Sequence, residues 1–268
     1  MSDLIAEYLE HLADLGRADS TIGTYTDILQ RMDRQLPYGL ISACQDELHA
    51  WIFSDSHGKA HRKLCRIVAN GFYEWASNPA EPRLDFNPAA GLPAVSAPRG
   101  RPNPIAEQEK IEMLASAARP HRDWFLIACF TGARCTELAD LDREHITERR
   151  VLLHGKGDKP RYVPTHPLVW ALAQELPPGP LTTDRHGRRL TRQQVSHRGN
   201  YYLQQVLGMK GVHMHRLRST FGTEAYEATR DILAVQRLLG HASPATTQIY
   251  VEVGGEAMER AVAGLRAA

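Results

Sequence analysis

The 268-residue chain reads as a mainly α protein with a small antiparallel β-sheet. Apolar residues recur at three- and four-residue spacing through most of it, the signature of helices with one buried face. One stretch, 145–164, alternates apolar and polar residues instead, as strands do. An apolar share of 43% is ordinary for a protein with a proper core, and the length suits one large domain or two small ones.

Residues 1–77 read as four helices. Leu4, Ile5, Tyr8, Leu9, Leu12 and Leu15 share a stripe that Gly16 ends. Ser20 is the expected cap of a second helix carrying Ile22, Tyr25, Ile28, Leu29 and Met32, stopped near Pro37. Ser42 is the expected cap of a third, with Leu48, Trp51, Ile52 and Phe53. The fourth, Lys59 to Ser77, buries Leu64, Ile67, Val68, Phe72 and Trp75. Its basic residues Lys59, Arg62, Lys63 and Arg66 make a face of their own.

Residues 77–104 hold seven prolines and little periodicity. The expected division is a helical domain over 1–95, an extended linker over 96–104 and a second domain over 105–268. The second domain opens with helices near 106–117 and 123–130, after which Gly132 breaks the chain. Residues 145–164 form the sheet, with Gly155-Lys156-Gly157-Asp158 as its hairpin tip. Helices are expected near 166–176, 191–207, 213–227, 231–239, 244–252 and 256–266. Gly240 suits a helix end, and Ser243-Pro244 suits the start of the next helix.

A net charge of +1 hides an uneven distribution. Residues 1–95 carry 8 Lys/Arg against 13 Asp/Glu, and 96–268 carry 24 against 18. From 185 to 223 there are 8 basic residues and no acid, and 56–73 has four and none. Local basic surface, not total charge, drives binding to a polyanion. Candidate DNA contacts are therefore Lys59, Arg62, Lys63 and Arg66 in the first domain and Arg99 and Arg101 in the linker. Arg188, Arg189, Arg192 and Arg198 join them in the second domain. No apolar run reaches membrane-spanning length, and the acidic start is no signal peptide. Cys44, Cys65, Cys129 and Cys135 lack paired metal spacing and read as reduced thiols of a cytoplasmic protein. No membrane partner is expected.

Five short motifs stand in order. They are Thr131-Gly132-Ala133-Arg134-Cys135-Thr136-Glu137-Leu138, Gly155-Lys156-Gly157-Asp158-Lys159, His215 with Arg218, Leu239-Gly240-His241, and Tyr250. Each is weak alone, but in this order they resemble the tyrosine recombinases, the phage integrase family, over roughly 105–255. The resemblance implies a helical core-binding domain joined to a mixed α/β catalytic domain, closing together on duplex DNA core or attachment sites. It implies four protomers on two sites and strand exchange through a Holliday junction. The catalytic set it points to is Arg134, Lys156, His215, Arg218, His241 and Tyr250, with Glu137 supporting Arg134.

The residue types suit that chemistry. Guanidinium is always charged and matches phosphate oxygens with a two-pronged fork, so Arg134 and Arg218 suit a phosphate clamp. A phenol with pKa of about 10 needs a base to become a nucleophile. His215, one turn before Arg218, is the candidate to take the proton of Tyr250. His241 is the candidate to hydrogen-bond the phosphate or buttress Tyr250. Lys156 is the candidate acid for the departing 5′ oxygen. The expected product is a 3′-phosphotyrosyl bond, made without cofactor, metal or ATP.

A metal site built on His213, His215 and His241 is the rival use of the same side chains. Histidines two apart on a helix point to different faces, and no acid or cysteine completes the set. Among functions, a compact phage integrase is the favoured expectation, with a directionality factor as a candidate partner. The chain runs straight into the helical bundle, so no arm-site domain is expected. A Xer-like or transposon resolvase, a relaxing topoisomerase of the same chemistry, and a non-cleaving DNA-binding protein are the alternatives.

Overall fold

The structure is a computed structural model that describes residues 2–96, 102–155, 160–241 and 247. It divides into two compact units, Met1–Pro98 and Arg99–Ala268, each with its own core.

The first unit is a bundle of α1 (Asp3–Asp14), α2 (Asp19–Gln35), α3 (Gln45–Ile52) and α4 (Lys59–Ala76). The predicted stripes supply most of the core: Ile5, Tyr8 and Leu12 from α1 meet Ile28, Leu29 and Met32 from α2 and Val68 and Phe72 from α4, to which Tyr73 is added, whereas Ile67, expected inside, is exposed. Each large apolar side chain buried this way contributes about 1.5–3 kcal/mol. The ring of Tyr8 meets that of Phe72 edge-on at 5.5 Å. The buried Tyr73 hydroxyl donates to the carbonyl of Leu40 at 2.6 Å.

Neither expected serine caps its helix. α2 begins after Ala18, so Ser20 lies inside its first turn. Cys44 precedes α3, and the Glu47 carboxylate takes its backbone N–H at 2.9 Å. An acceptor reaching back from the third position satisfies the orphan donor that Ser42 was expected to serve. After α4 the chain folds back onto the bundle, with Arg83 and Leu84 donating to the carbonyl of Ala76 and with Ala89 and Leu92 buried.

The second unit contains α5 (Glu107–Ser116), α6 (His121–Thr131), α7 (Cys135–Ala139), β1 (Arg150–His154), β2 (Pro160–Pro164), α8 (Pro167–Glu175), α9 (Arg192–Tyr201), α10 (Met214–Thr229) and α11 (Ile232–Leu239). Central α6 packs against α5, α7, α8, α9 and α10. It is buried nearly all round, through Trp124, Phe125, Leu126, Ile127, Ala128 and Cys129. β1 and β2 pair antiparallel, with Val151 opposite Val163 and Leu153 opposite Arg161.

Two details depart from the expected elements. The five-residue α7 is too short to show a periodicity. The helix expected over 191–207 gives way at Tyr202 to a single π turn, Tyr202–Val206. There the Tyr202 ring stacks on His121 at 4.1 Å, and its hydroxyl accepts the N–H of Ala118 at 2.8 Å. Among the described residues, no helix is long and apolar enough to cross a membrane. The helices expected near 244–252 and 256–266 lie outside the described residues, apart from Thr247.

Candidate active site

The site begins where α6 ends. Gly132 adopts the left-handed backbone (φ 62°) that closes the helix and turns the chain. No other residue fits: a Cβ there would lie 2.5 Å from Phe221 Cδ1 and 3.2 Å from Leu239 Cδ2. The turn delivers Arg134 to the start of α7. Glu137 then reaches back, one oxygen accepting the Arg134 backbone N–H at 2.7 Å and the other accepting Nη1 at 2.7 Å. One carboxylate thus fixes both the backbone and the guanidinium of Arg134.

Glu137 is only 1% exposed and serves a second arginine as well. Arg161, on β2, donates to it from Nε at 3.3 Å and from Nη2 at 2.9 Å. Arg218 Nη1 stands 3.7 Å from the same carboxylate. Burial by itself pushes the Glu137 carboxyl upward. The hydrogen bonds and charge of Arg161, with those of Arg134, outweigh it and hold the carboxyl below its usual range.

α10 carries His215 and Arg218 one turn apart. Its first N–H, at Met214, is tied to Asn200 Oδ1 on α9 at 2.8 Å. Arg218 is buried and donates to the Gly132 carbonyl at 2.5 Å and the Leu239 carbonyl at 2.6 Å. α11 is capped at its start by Asp231, which accepts the N–H groups of Leu233 and Ala234. It ends at Gly240, in the left-handed region (φ 60°). The last carbonyls of a helix have no partner within it and carry partial negative charge. Here three successive ones each meet a different arginine. Leu238 accepts from Arg161, Leu239 from Arg218, and Gly240 from Arg134 at 3.4 Å. A helix end and one carboxylate together hold three guanidinium groups in one place.

Both histidines of the expected set join this cluster. His241 follows Gly240, and its Nδ1 lies 3.0 Å from the hydroxyl of the buried Thr247. Burial, then the charges of Arg218, Arg134 and Arg161, lower its pKa to about 4, so the ring is neutral at physiological pH. His215 is lowered too, by the protein around it and then by Arg218 and Arg134. A neutral imidazole beside two arginines can accept a proton next to fixed positive charge. In front of these groups opens a cleft of about 410 Å³ lined by Arg134, Cys135, Arg192, Ser196, His213 and His215, with buried Arg218 behind.

The structure therefore brings together Arg134, Glu137, His215, Arg218 and His241. It adds Arg161, which the sequence reading had not singled out. Of the expected DNA contacts, Arg192 lines the cleft and Arg198 is exposed on another face of α9, where its charge adds to burial in lowering the pKa of His121. Arg188 pairs with Asp184, and Arg189 is tied to Asp142 and to the Ala139 carbonyl. In the first unit Lys59 and Lys63 are exposed, but Arg62 donates to the Ser54 carbonyl and Arg66 to that of Leu92. Lys156, Tyr250, Arg99 and Arg101 lie outside the described residues.

The model of the phage integrase family matches residues 105–256, which span the whole arginine and histidine cluster together with Lys156 and Tyr250. The chain belongs to that family, the tyrosine recombinases. Among curated relatives, the recombinase is 34% identical to the tyrosine recombinase XerC of Azotobacter vinelandii over 73% of this chain and 71% of that one. It is 28% identical to XerC of Chromobacterium violaceum over 93% and 90%. Among solved structures it shares the fold of a lambda integrase dimer bound to a COC′ core site. That likeness has a TM-score of 0.76 at 20% identity, over 94% of this chain and 77% of that one. It also shares the fold of the XerH site-specific recombinase bound to a palindromic difH substrate, with TM-score 0.69 at 21% identity, over 91% and 79%. The recombinase is thus a tyrosine-type site-specific enzyme, mainly helical with one small antiparallel sheet.

Proposed function

We propose that this recombinase is Xer-like and exchanges strands of duplex DNA at a specific site through a 3′-phosphotyrosyl intermediate. The observation that carries the reading is the convergence of Arg134 and Arg218 on one buried carboxylate and one helix end, with His241 directly after that end and His215 beside the two arginines. Arg134 and Arg218 hold the non-bridging oxygens of the scissile phosphate, where charge concentrates during attack. By analogy with an oxyanion-hole donor, each contributes about 3–4 kcal/mol to the transition state. Tyr250 Oη attacks phosphorus while its proton passes to His215, and neutral His241 hydrogen-bonds the phosphate. The bond from phosphorus to the 5′ oxygen breaks as Lys156 protonates that oxygen. Attack by a 5′ hydroxyl of another strand reverses these steps and rejoins the backbone.

The choice of Xer-like over phage integrase is supported by curated relatives called XerC, one of them matched over 93% of this chain. The motifs that first suggested a compact phage integrase are common to both. The proposal extends to four protomers working through a Holliday junction, the assembly in which lambda integrase of this fold has been solved. Basic surface on both units, including Arg192 at the cleft and Lys59 and Lys63 on α4, serves the phosphate backbone.

A nicked substrate that loses its short 5′ fragment tests the chemistry. It should trap a covalent protein–DNA adduct in EDTA and without ATP, mapping to the peptide that contains Tyr250. Tyr250→Phe should keep DNA affinity and lose the adduct. An adduct formed by that variant would move the nucleophile to another tyrosine, and no adduct with wild type would favour a non-cleaving DNA-binding protein. A plasmid carrying two direct repeats of the site then separates the roles. Efficient excision supports the Xer-like reading, and reaction only between unlike sites on two molecules supports an integrase.

A further inference from the structure

Arg161 is the most heavily used side chain of the cluster. A guanidinium has five N–H donors. Nε points to Glu137 Oε1 at 3.3 Å. Nη1 points to the carbonyls of Leu238 and, at 3.4 Å, Thr131. Nη2 points to the Gly132 carbonyl at 3.1 Å and Glu137 Oε2 at 2.9 Å. Every donor is engaged, and unlike Arg134 and Arg218 the side chain is not among those lining the cleft. Arg134 differs: its side chain is 37% exposed and opens on the cleft. Arg161 therefore has nothing left to offer a phosphate. Its partners are the carboxylate that grips Arg134, the turn that delivers Arg134, and the helix end that precedes His241.

We infer that Arg161 is a positioning residue of this enzyme, a strut that sets Arg134 and His241 at their working separation through Glu137 and the end of α11. The inference rests on the reading of this site given above. Gly240 supplies independent geometry. A Cβ at 240 would lie 2.6 Å from Arg161 Cδ, so the chain passes against the arginine stem where only glycine fits. Lysine cannot replace the strut. Its three donors diverge from a single atom and cannot span a carboxylate and three carbonyl groups, those of Thr131, Gly132 and Leu238.

The test uses Arg161→Lys, Arg161→Gln, Glu137→Gln and the double variant Arg161→Lys/Glu137→Gln in the full chain. Cleavage of the nicked substrate is measured at saturating DNA, with affinity measured separately. Arg161→Lys should cleave about 100-fold more slowly, the loss expected of a roughly 1 Å misplacement, with affinity within about 3-fold of wild type. Because Arg161 acts in part through Glu137, the loss in the double variant should be smaller than the product of the two single losses. Wild-type cleavage by Arg161→Lys overturns the inference, as does affinity falling in step with rate, or multiplicative losses in the double variant. If neither lysine nor glutamine at 161 gives a folded protein, Arg161 is a folding residue and the inference also falls. Failure of the wild type to form an adduct sinks the recombinase chemistry itself. A wild-type adduct with any overturning result sinks only the strut.

Discussion

Arg218 Nη2 donates to the carbonyl of Leu239 at 2.6 Å while Nη1 donates to that of Gly132 at 2.5 Å. One buried guanidinium therefore joins the end of α11 to the turn that follows α6. A charge this deep is stable only because the carbonyl groups and the nearby Glu137 carboxylate replace its water.

Arg218→Lys should separate the two duties of this residue. A lysine ammonium keeps the charge but lacks the planar fork, so the Leu239 carbonyl loses its guanidinium donor, while that of Gly132 keeps Arg161. We expect a stability loss of about 1–3 kcal/mol for the Leu239 carbonyl, read by urea denaturation. Cleavage should fall about 10²–10³-fold, the cost of losing one preorganised donor. A folded variant that cleaves at the wild-type rate would remove Arg218 from the phosphate clamp.

Two glycines offer a matched comparison. Gly132 and Gly187 both have positive φ, 62° and 77°, but only Gly132 has neighbours within 4 Å of a Cβ. Gly187→Ala should cost about 1–2 kcal/mol, the strain of a left-handed non-glycine residue. Gly132→Ala adds a collision with Phe221 and moves a carbonyl that Arg161 and Arg218 both use. Its thermal midpoint should drop distinctly further, and cleavage should drop with it. Equal shifts in the two midpoints would mean that the turn tolerates the extra atom.

Acid should weaken the second unit in two stages. His241 has a folded pKa of about 4 against 6.5 when unfolded, so folding favours the neutral ring. Its contribution is complete above pH 6.5 and is lost as pH falls from 6.5 toward 4. His215 is shifted the same way. Glu137, held below 4.5, contributes above that value and is lost as pH falls through its folded pKa. The thermal midpoint should therefore decline from pH 6.5 downward and steepen at lower pH. His241→Asn should flatten the upper part of the decline. An imidazole signal for His241 that titrates near 6.5 in proton NMR would contradict this.

The basic residues of α4 should not behave alike. Arg62 and Arg66 are committed to backbone carbonyls, whereas Lys59 and Lys63 are exposed. Replacing both lysines with alanine should flatten the salt dependence of DNA binding, by about 0.9 in log–log slope for each phosphate no longer neutralised. Arg66→Ala should instead lower stability with little change in slope. The reverse pattern would mean that the arginines leave their carbonyl partners to meet DNA.

The helices were legible because their apolar stripes are long and regular. Gly240 announced the end of α11 through its backbone freedom, and the motif residues announced themselves by order and chemical type. The arginine cluster was less readable, because its acceptors are backbone carbonyls, which no sequence pattern marks. Arg161 left one sign. It stands two residues before the buried Val163 on the same strand, and residues two apart face the same way. An arginine on the inward side of a strand needs partners there. The caps of α2 and α3 were misplaced because a serine near a helix start is only one of several ways to satisfy the first N–H groups.

The arginine contacts join parts of the chain made far apart in time. Arg134 meets Gly240 across 106 residues, Arg218 meets Gly132 across 86, and Arg161 meets Leu238 across 77. During synthesis, Arg134 leaves the ribosome long before Gly240 exists. Until α11 docks, these arginines have Glu137 and the Gly132 carbonyl in common but lack the helix end that each of them also meets, and links of such long range form late in folding. The full arginine cluster therefore arrives only with the closing of the fold. A half-made copy carries Arg134, Arg161 and Arg218 without the helix end that gathers them.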